Sequence, residues 1–336
     1  MPDIRILHLG LGPIGAAVAR VAAARKGIRI VGAVDIAPDK AGRDLGDVID
    51  LGRRLRVKVA GDLRAALRAA RPQVVVACTS SSLKNARADF ETILRAKASI
   101  VSTTEELAYP WWSNRRIARE LDALARRHKA ALLGTGVNPG FVMDALPIAL
   151  TGVCESVDAI RVDRVQDASI RRLPFQKKIG AGQTREEFER MVAAGTVRHV
   201  GLTESIAMIA DALGWKLDQI TDTISPKMAD RDVATEYLRV PAGRVAGIVQ
   251  DGVGYRAGKP IIELHMEAYI GAPESYDSVR IDGRPPIVSR VAGGFHGDVA
   301  TAAVVVNSIS RVAAAAPGLH SMRDLPLPGY SGGPTR

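Results

Sequence analysis

Residues 3–27 read DIRILHLGLGPIGAAVARVAAARKG, an apolar strand that runs into Gly10-Leu11-Gly12-Pro13-Ile14-Gly15 and on into an Ala/Val-rich helix. The spacing predicts a strand, a tight turn and a helix whose N-terminus faces an anion. Gly10 permits the turn, Gly12 lets the backbone approach a pyrophosphate, and Gly15 lets helix and strand pack closely, with Pro13 and Ile14 opening the helix. Glycine-rich turns are common, so the motif gains its weight from context. A second apolar strand, IRIVGAVDI, ends in Asp35, about 20 residues beyond Gly15, where a carboxylate can hydrogen-bond an adenosine ribose. Together the two segments predict a nicotinamide dinucleotide site.

The 336-residue chain is long enough for two domains with their own cores. Its 47% hydrophobic and 24% charged residues are those of a globular protein. No apolar run approaches membrane-spanning length, and the first strand begins at the third residue, so neither a membrane nor a signal peptide is expected and the expected compartment is the cytoplasm. Cys78 and Cys154 stand alone and the six histidines show no ligand spacing, so the cysteines read as reduced core residues and no metal is expected. The formal charge of +10 would suit an acidic partner, but Lys and Arg alternate with carboxylates, as in SNRRIARELDALARRHK, and aromatics make up only 4%. That describes a solvated helical face without a base-stacking platform, so no nucleic-acid partner is expected.

Up to about residue 135, strand-like runs (QVVVACT, ASIVST, AALLGTG) alternate with helical ones, which predicts a Rossmann-type parallel sheet with crossover helices. Beyond it, VDAIRVDRVQD, two helices and a series of alternating strands predict a second, α+β domain built on a mainly antiparallel sheet. The expected boundaries are a dinucleotide-binding domain over 1–140, a substrate and dimerisation domain over 141–300, and a C-terminal helix and tail over 301–336 packing back near the first domain.

Ligands of an open parallel sheet bind beyond the carboxyl ends of its strands. After QVVVACT come Thr79 and Ser80, placed for a cofactor ring or ribose, with Ser81 or Ser82 as an alternative helix cap. After ASIVST come Glu105 and Glu106, two carboxylates of which one, partly desolvated beside the other, could serve as a base. Ser102 with Glu105 and Thr103 with Glu106 also fit capping boxes, and the two readings weigh evenly. Asn138, in GTGVNPGFVMD after the last strand of the first domain, can present its amide to a nicotinamide or substrate. RRLPFQKKIGAG reads as a basic loop before a Thr184–Glu187 capping box, and His296 is the one histidine in a ligand-like loop.

On the stretches GLGPIG, STTEELAYPWW, GTGVNPGFVMDALP, RRLPFQKKIGAG, HGDVATAAVVVNSI and PGLHSMRDLP, with DLG after Asp35, the chain resembles the 2,4-diaminopentanoate dehydrogenase family and the native amine dehydrogenases grouped with it. The resemblance covers nearly the whole length. It implies a dihydrodipicolinate-reductase-like second domain, a homodimer, and NAD(P)-dependent interconversion of an amine with a carbonyl compound and ammonia. It also implies a catalytic glutamate in the TEEL segment, carried onto Glu105, with Glu106 less favoured. Phe141, Phe175 and His296 are the candidate substrate-pocket residues. Asp35 should repel a 2′-phosphate and favour NAD, while Lys40 and Arg43 lie close enough to let NADP be tolerated. Two alternatives are a dihydrodipicolinate-reductase-like imine reductase, whose paired histidines and Pro-Ser-Gly-Thr turn are absent here, and a noncatalytic dinucleotide sensor.

Overall fold

A computed structural model of the chain describes residues 3–330, which divide into two compact units: residues up to Phe141 together with those from His296 on, and Val142–Phe295. The first unit begins with β1 (Ile4–Leu9), α1 (Pro13–Ala24), β2 (Ile28–Val34), the short α2 (Leu45–Val48) and β3 (Val59–Ala60). It continues through α3 (Leu63–Ala70), β4 (Val74–Ala77), α4 (Leu83–Arg95), β5 (Ser99–Ser102), α5 (Arg115–His128) and β6 (Ala131–Gly134). β4 and β6 are continuous apolar runs and are fully buried, as strands covered on both faces must be.

The second unit opens with α6 (Ala145–Leu150), β7 (Ser156–Asp167), α7 (Leu173–Lys178), α8 (Arg185–Ala193) and α9 (Leu202–Ala212). The strands β8 (Gln219–Met228), β9 (Val233–Ala234), β10 (Arg239–Val240), β11 (Val245–Arg256), β12 (Lys259–Tyr269), β13 (Tyr276–Arg284) and β14 (Ile287–Ala292) follow. Five of them join β7 in a six-stranded sheet of order β14-β13-β7-β12-β11-β8, antiparallel except where β7 meets β12, and β9 pairs with β10. Glycines on β11 explain how α9 lies so close to it. A Cβ at Gly252 would stand 2.9 Å from Ile206 Cδ1, and one at Gly254 2.8 Å from Ile206 Cγ2. The expected Thr184–Glu187 box starts α8, with Thr184 N–H donating to Glu187 Oε2 at 2.8 Å and Glu187 N–H to Thr184 Oγ1 at 3.1 Å. RRLPFQKK is not a loop, because Pro174 in the first turn starts α7 within it.

The chain then re-enters the first unit through α10 (Gly297–Ala313) and the strand β15 (Gly318–His320). β15 joins β6 in parallel, giving a seven-stranded sheet in the order β15-β6-β5-β4-β1-β2-β3, parallel throughout. Leu7, Leu9, Val75, Ile100 and Leu132 pack under Leu67, Leu83, Phe90 and Leu121 of α3, α4 and α5. α1 and α10 pair over the opposite face. This is the Rossmann-type three-layer arrangement with a second, mixed-sheet unit, and no helix of the described residues is long and apolar enough to cross a membrane.

Candidate active site

The three glycines of the first turn have separate jobs. Gly10 takes φ +87°, and a Cβ there would lie 2.5 Å from the Cys78 carbonyl oxygen; a Cβ on Gly15 would lie 2.0 Å from the Gly10 carbonyl oxygen. These two close the strand–helix joint. A Cβ on Gly12 would meet nothing within 4 Å, so that residue faces open space. α1 begins there with Pro13 and Ile14 and no side-chain cap, leaving its first turn to face an anion.

That space belongs to a cavity of about 680 Å³ lined by Gly10, Gly12, Asp35, Lys40, Cys78 and Thr79 and reaching Gly61–Arg64 and α4, a volume suited to a nucleotide. At its wall, Asp35 Oδ2 accepts the Leu11 N–H at 2.6 Å and the Lys40 ammonium at 3.2 Å, while Oδ1 accepts the Ala37 N–H at 2.9 Å. Burial alone would push the Asp35 carboxyl up, but the Ala37 and Leu11 donors and Lys40 outweigh it and hold the group below the usual carboxylate range. The residues present therefore fit a dinucleotide: open backbone for the phosphates and a fixed carboxylate for a ribose. Arg43 does not line this space, whereas Arg64 does.

Beneath the turn lies His8, fully buried. Burial pushes its pKa down to about 4, and the nearby Gly10 and Gly15 backbone and the Asp35 charge offset this only in part, since neither ring nitrogen reaches hydrogen-bond geometry. Cys78 carries no thiolate chemistry at neutral pH: burial pushes its thiol up to about 12.

The two glutamates sit in a single 3-10 turn, Glu105–Leu107. Ser102 builds it by donating its hydroxyl to the Ala77 carbonyl at 3.0 Å and accepting the Thr104 N–H at 3.1 Å. Leu107 is buried, and Gly134 makes room for the turn, since a Cβ there would lie 2.5 Å from the Leu107 carbonyl carbon. The capping boxes expected from Ser102 and Thr103 do not form; Thr104 is the capping position, and its hydroxyl meets the Ser102 hydroxyl at 3.0 Å instead of capping the turn. Instead Glu106 Oε2 accepts the Leu83 N–H at 2.7 Å and caps α4, a task that neither Ser81 nor Ser82 performs with its side chain. Glu105 is half-buried in the same turn.

Thr79 lines the cavity, and Ser80 turns its hydroxyl to the Ser82 N–H at 3.1 Å. Asn138 is buried in the loop after β6, which folds tightly on itself: a Cβ on Gly140 would lie 2.5 Å from the Gly136 nitrogen. Phe141 ends that segment, and His296 is the exposed residue preceding α10. Phe175 belongs to the second unit, on α7, with the Arg171 guanidinium 4.1 Å from its ring centre. Arg164 is buried and committed to Asp277 at 2.6 Å and to the Phe295 carbonyl at 2.9 Å. Arg161 is paired with Asp163 at 2.9 Å. Sequence reasoning missed Ile36, Arg64 and Asp89, all on the cavity wall; a parallel order placing β3 beside β2 and β4 beside β1 is the signal that would have pointed to them.

A family model for the 2,4-diaminopentanoate dehydrogenase C-terminal domain matches residues 141–333. The chain is 37% identical over 336 residues to a 2,4-diaminopentanoate dehydrogenase of Acetoanaerobium sticklandii, covering 98% of this chain and 95% of that one. It is 29% identical to an amine dehydrogenase of Streptomyces virginiae, with 95% of each chain covered. The solved amine dehydrogenase of Mycobacterium smegmatis superposes with a TM-score of 0.86 at 26% identity, covering 98% of both chains. The cavity, the Glu105–Leu107 turn and these likenesses converge: the chain belongs to the 2,4-diaminopentanoate dehydrogenase family.

Proposed function

We propose that this protein is an NAD(P)-dependent amine dehydrogenase, an oxidoreductase acting on CH–NH2 groups, which joins ammonia to a ketone or aldehyde by reductive amination and runs the oxidative deamination in reverse. The observation that carries the reading is the place of the TEEL turn, which sets two carboxylates just beyond the carboxyl end of β5, with Glu106 taken up by the Leu83 N–H at the start of α4. The names of the relatives support the reaction class. The bound cofactor supplies a hydride to the carbon of a C=N bond. Glu105, in its acid form, donates a proton to the departing hydroxyl of the carbinolamine; as a carboxylate it stabilises the iminium cation and, in reverse, takes a proton from the amine.

Gly10, Gly12, Pro13, Ile14 and Gly15 hold the pyrophosphate in this reading, Asp35 the adenosine ribose, and Thr79, Ser80 and Asn138 the nicotinamide half. Phe141, Phe175 and His296 are assigned to substrate contact. NAD is preferred because the Asp35 carboxylate faces the ribose position, and NADP is tolerated because Lys40 stands 3.2 Å from that carboxylate and Arg64 lines the same cavity. The protein works as a homodimer in the cytoplasm on a small carbonyl or amine substrate. A screen of ketones, aldehydes and keto acids for NADH oxidation, each with and without ammonium, tests the function. Turnover that requires ammonium supports it; ammonium-independent turnover, or tight NADH binding with no turnover on any carbonyl, rejects it.

A further inference from the structure

Besides the glycine turn and Asp35, the cavity is lined by Ile36, Leu63, Arg64, Ala88, Asp89 and Thr92, from the end of β2, the start of α3 and α4. Ile36, directly after Asp35, is 90% exposed and lines the cavity, so it offers an apolar surface against which a flat ring can lie. Arg64 adds a guanidinium of the kind that stacks on heteroaromatic rings. Three carboxylates line the whole cavity: Asp35, Asp62 and Asp89. Both oxygens of Asp35 accept hydrogen bonds, and Asp62 caps α3 by accepting the Ala65 N–H at 2.6 Å.

Asp89 has no such task. Among the described residues it makes no hydrogen bond or ion pair, although Glu91 on the same helix is bound by Arg87 at 2.8 Å and by Arg95 at 3.0 Å. The positions one turn either side of Asp89, residues 85–86 and 92–93, are Asn, Ala, Thr and Ile, so α4 offers it no cation. Asp89 is half-buried, and burial alone raises its pKa, with no neighbour opposing. A carboxylate is an acceptor without donors, so it suits an amino group and repels a carbonyl.

We propose that Asp89 accepts a hydrogen bond from the exocyclic amino group of the cofactor's adenine, making this end of the cavity selective for an aminopurine over an oxopurine. The inference rests on the dinucleotide reading of the cavity, and its test separates the two. Fluorescence titration of the purified protein with NADH and with reduced nicotinamide hypoxanthine dinucleotide, in which a carbonyl replaces the amino group, reads the preference as a ratio of dissociation constants.

Wild type binds NADH about tenfold tighter or more, the discrimination expected of one buried donor–acceptor pair. Asp89→Leu brings the ratio close to one, and so does Asp89→Asn, whose amide can both accept and donate. Removing the negative charge can tighten binding of both dinucleotides, which is why the ratio and not either constant is decisive. Thermal unfolding of both variants near the wild-type temperature shows that the fold is kept. A wild-type ratio near one, or a ratio unchanged in both variants, overturns the Asp89 assignment while leaving the dinucleotide site standing. Failure of wild type to bind either dinucleotide overturns both.

Discussion

Glu105 and Glu106 are neighbours of the same chemical type whose settings differ, and substitution should separate them. Glu105→Gln is expected to lower kcat by about 10²–10⁴-fold, the usual contribution of a proton-transferring side chain, with the dissociation constant for NADH unchanged. Glu106→Ala removes the acceptor of the Leu83 N–H and should cost about 1 kcal/mol of stability with kcat little altered. Kinetics and thermal unfolding of the pair check this, and reversed roles would contradict it. His8 makes a second residue-scale prediction. Its pKa falls from 6.5 to about 4 on folding, so the folded chain holds the neutral ring; the stability this lends is complete above pH 6.5 and is lost as the pH falls toward 4. Between pH 7 and pH 5 the loss from this group is about 2 kcal/mol. Chemical denaturation at the two pH values should show that extra loss in wild type and not in His8→Gln.

Among the elements, the β1–α1 joint is the sharpest case of sequence and structure agreeing, and its glycines predict opposite phenotypes. Gly15→Ala drives a methyl against the Gly10 carbonyl and should destabilise the protein by about 1–3 kcal/mol. Gly12→Ala meets no protein atom, and Gly12 has an ordinary φ of −64°, so the melting temperature should hold while NADH affinity drops about tenfold. Calorimetry and NADH titration distinguish the two, and a Gly12→Ala protein with intact NADH affinity would count against a pyrophosphate at that turn. The strands β1, β2, β4, β5 and β6 were legible as short apolar runs, and those of the second unit as alternating apolar and polar ones. α7 was not, since it is a single short helix whose start depends on Pro174 and whose Arg-Lys content reads as surface loop. β15 was equally hidden: three residues, Gly318–His320, become a strand only because the β6 edge is there to pair with. The Glu106 cap on α4 and the place of Asp89 in the cavity wall join residues far apart in the chain, and neither local propensity nor spacing carries that information.

At the scale of the whole molecule, the charge that composition leaves unassigned finds places. On the second unit's sheet, the side chains alternating with the buried row form a polar lattice. His265 lies 2.6 Å from Asp251 and 3.2 Å from Glu267, and Glu267 in turn binds Lys227 at 3.0 Å. The proposed homodimer should appear in light scattering as twice the chain mass at micromolar concentration, and a monomer mass there would rule it out. The remaining excess of +10 favours fast, salt-sensitive capture of an anionic cofactor. In the proposed reaction, hydride reaches a carbon that has just acquired nitrogen from ammonia. The most direct test supplies NADH deuterated at C4 on the transferring face, 15N-ammonium and an accepted carbonyl compound, then reads the product by mass spectrometry and NMR. One amine should form per NADH consumed, with deuterium and 15N on the same carbon; deuterium recovered in an alcohol that lacks 15N would rule reductive amination out.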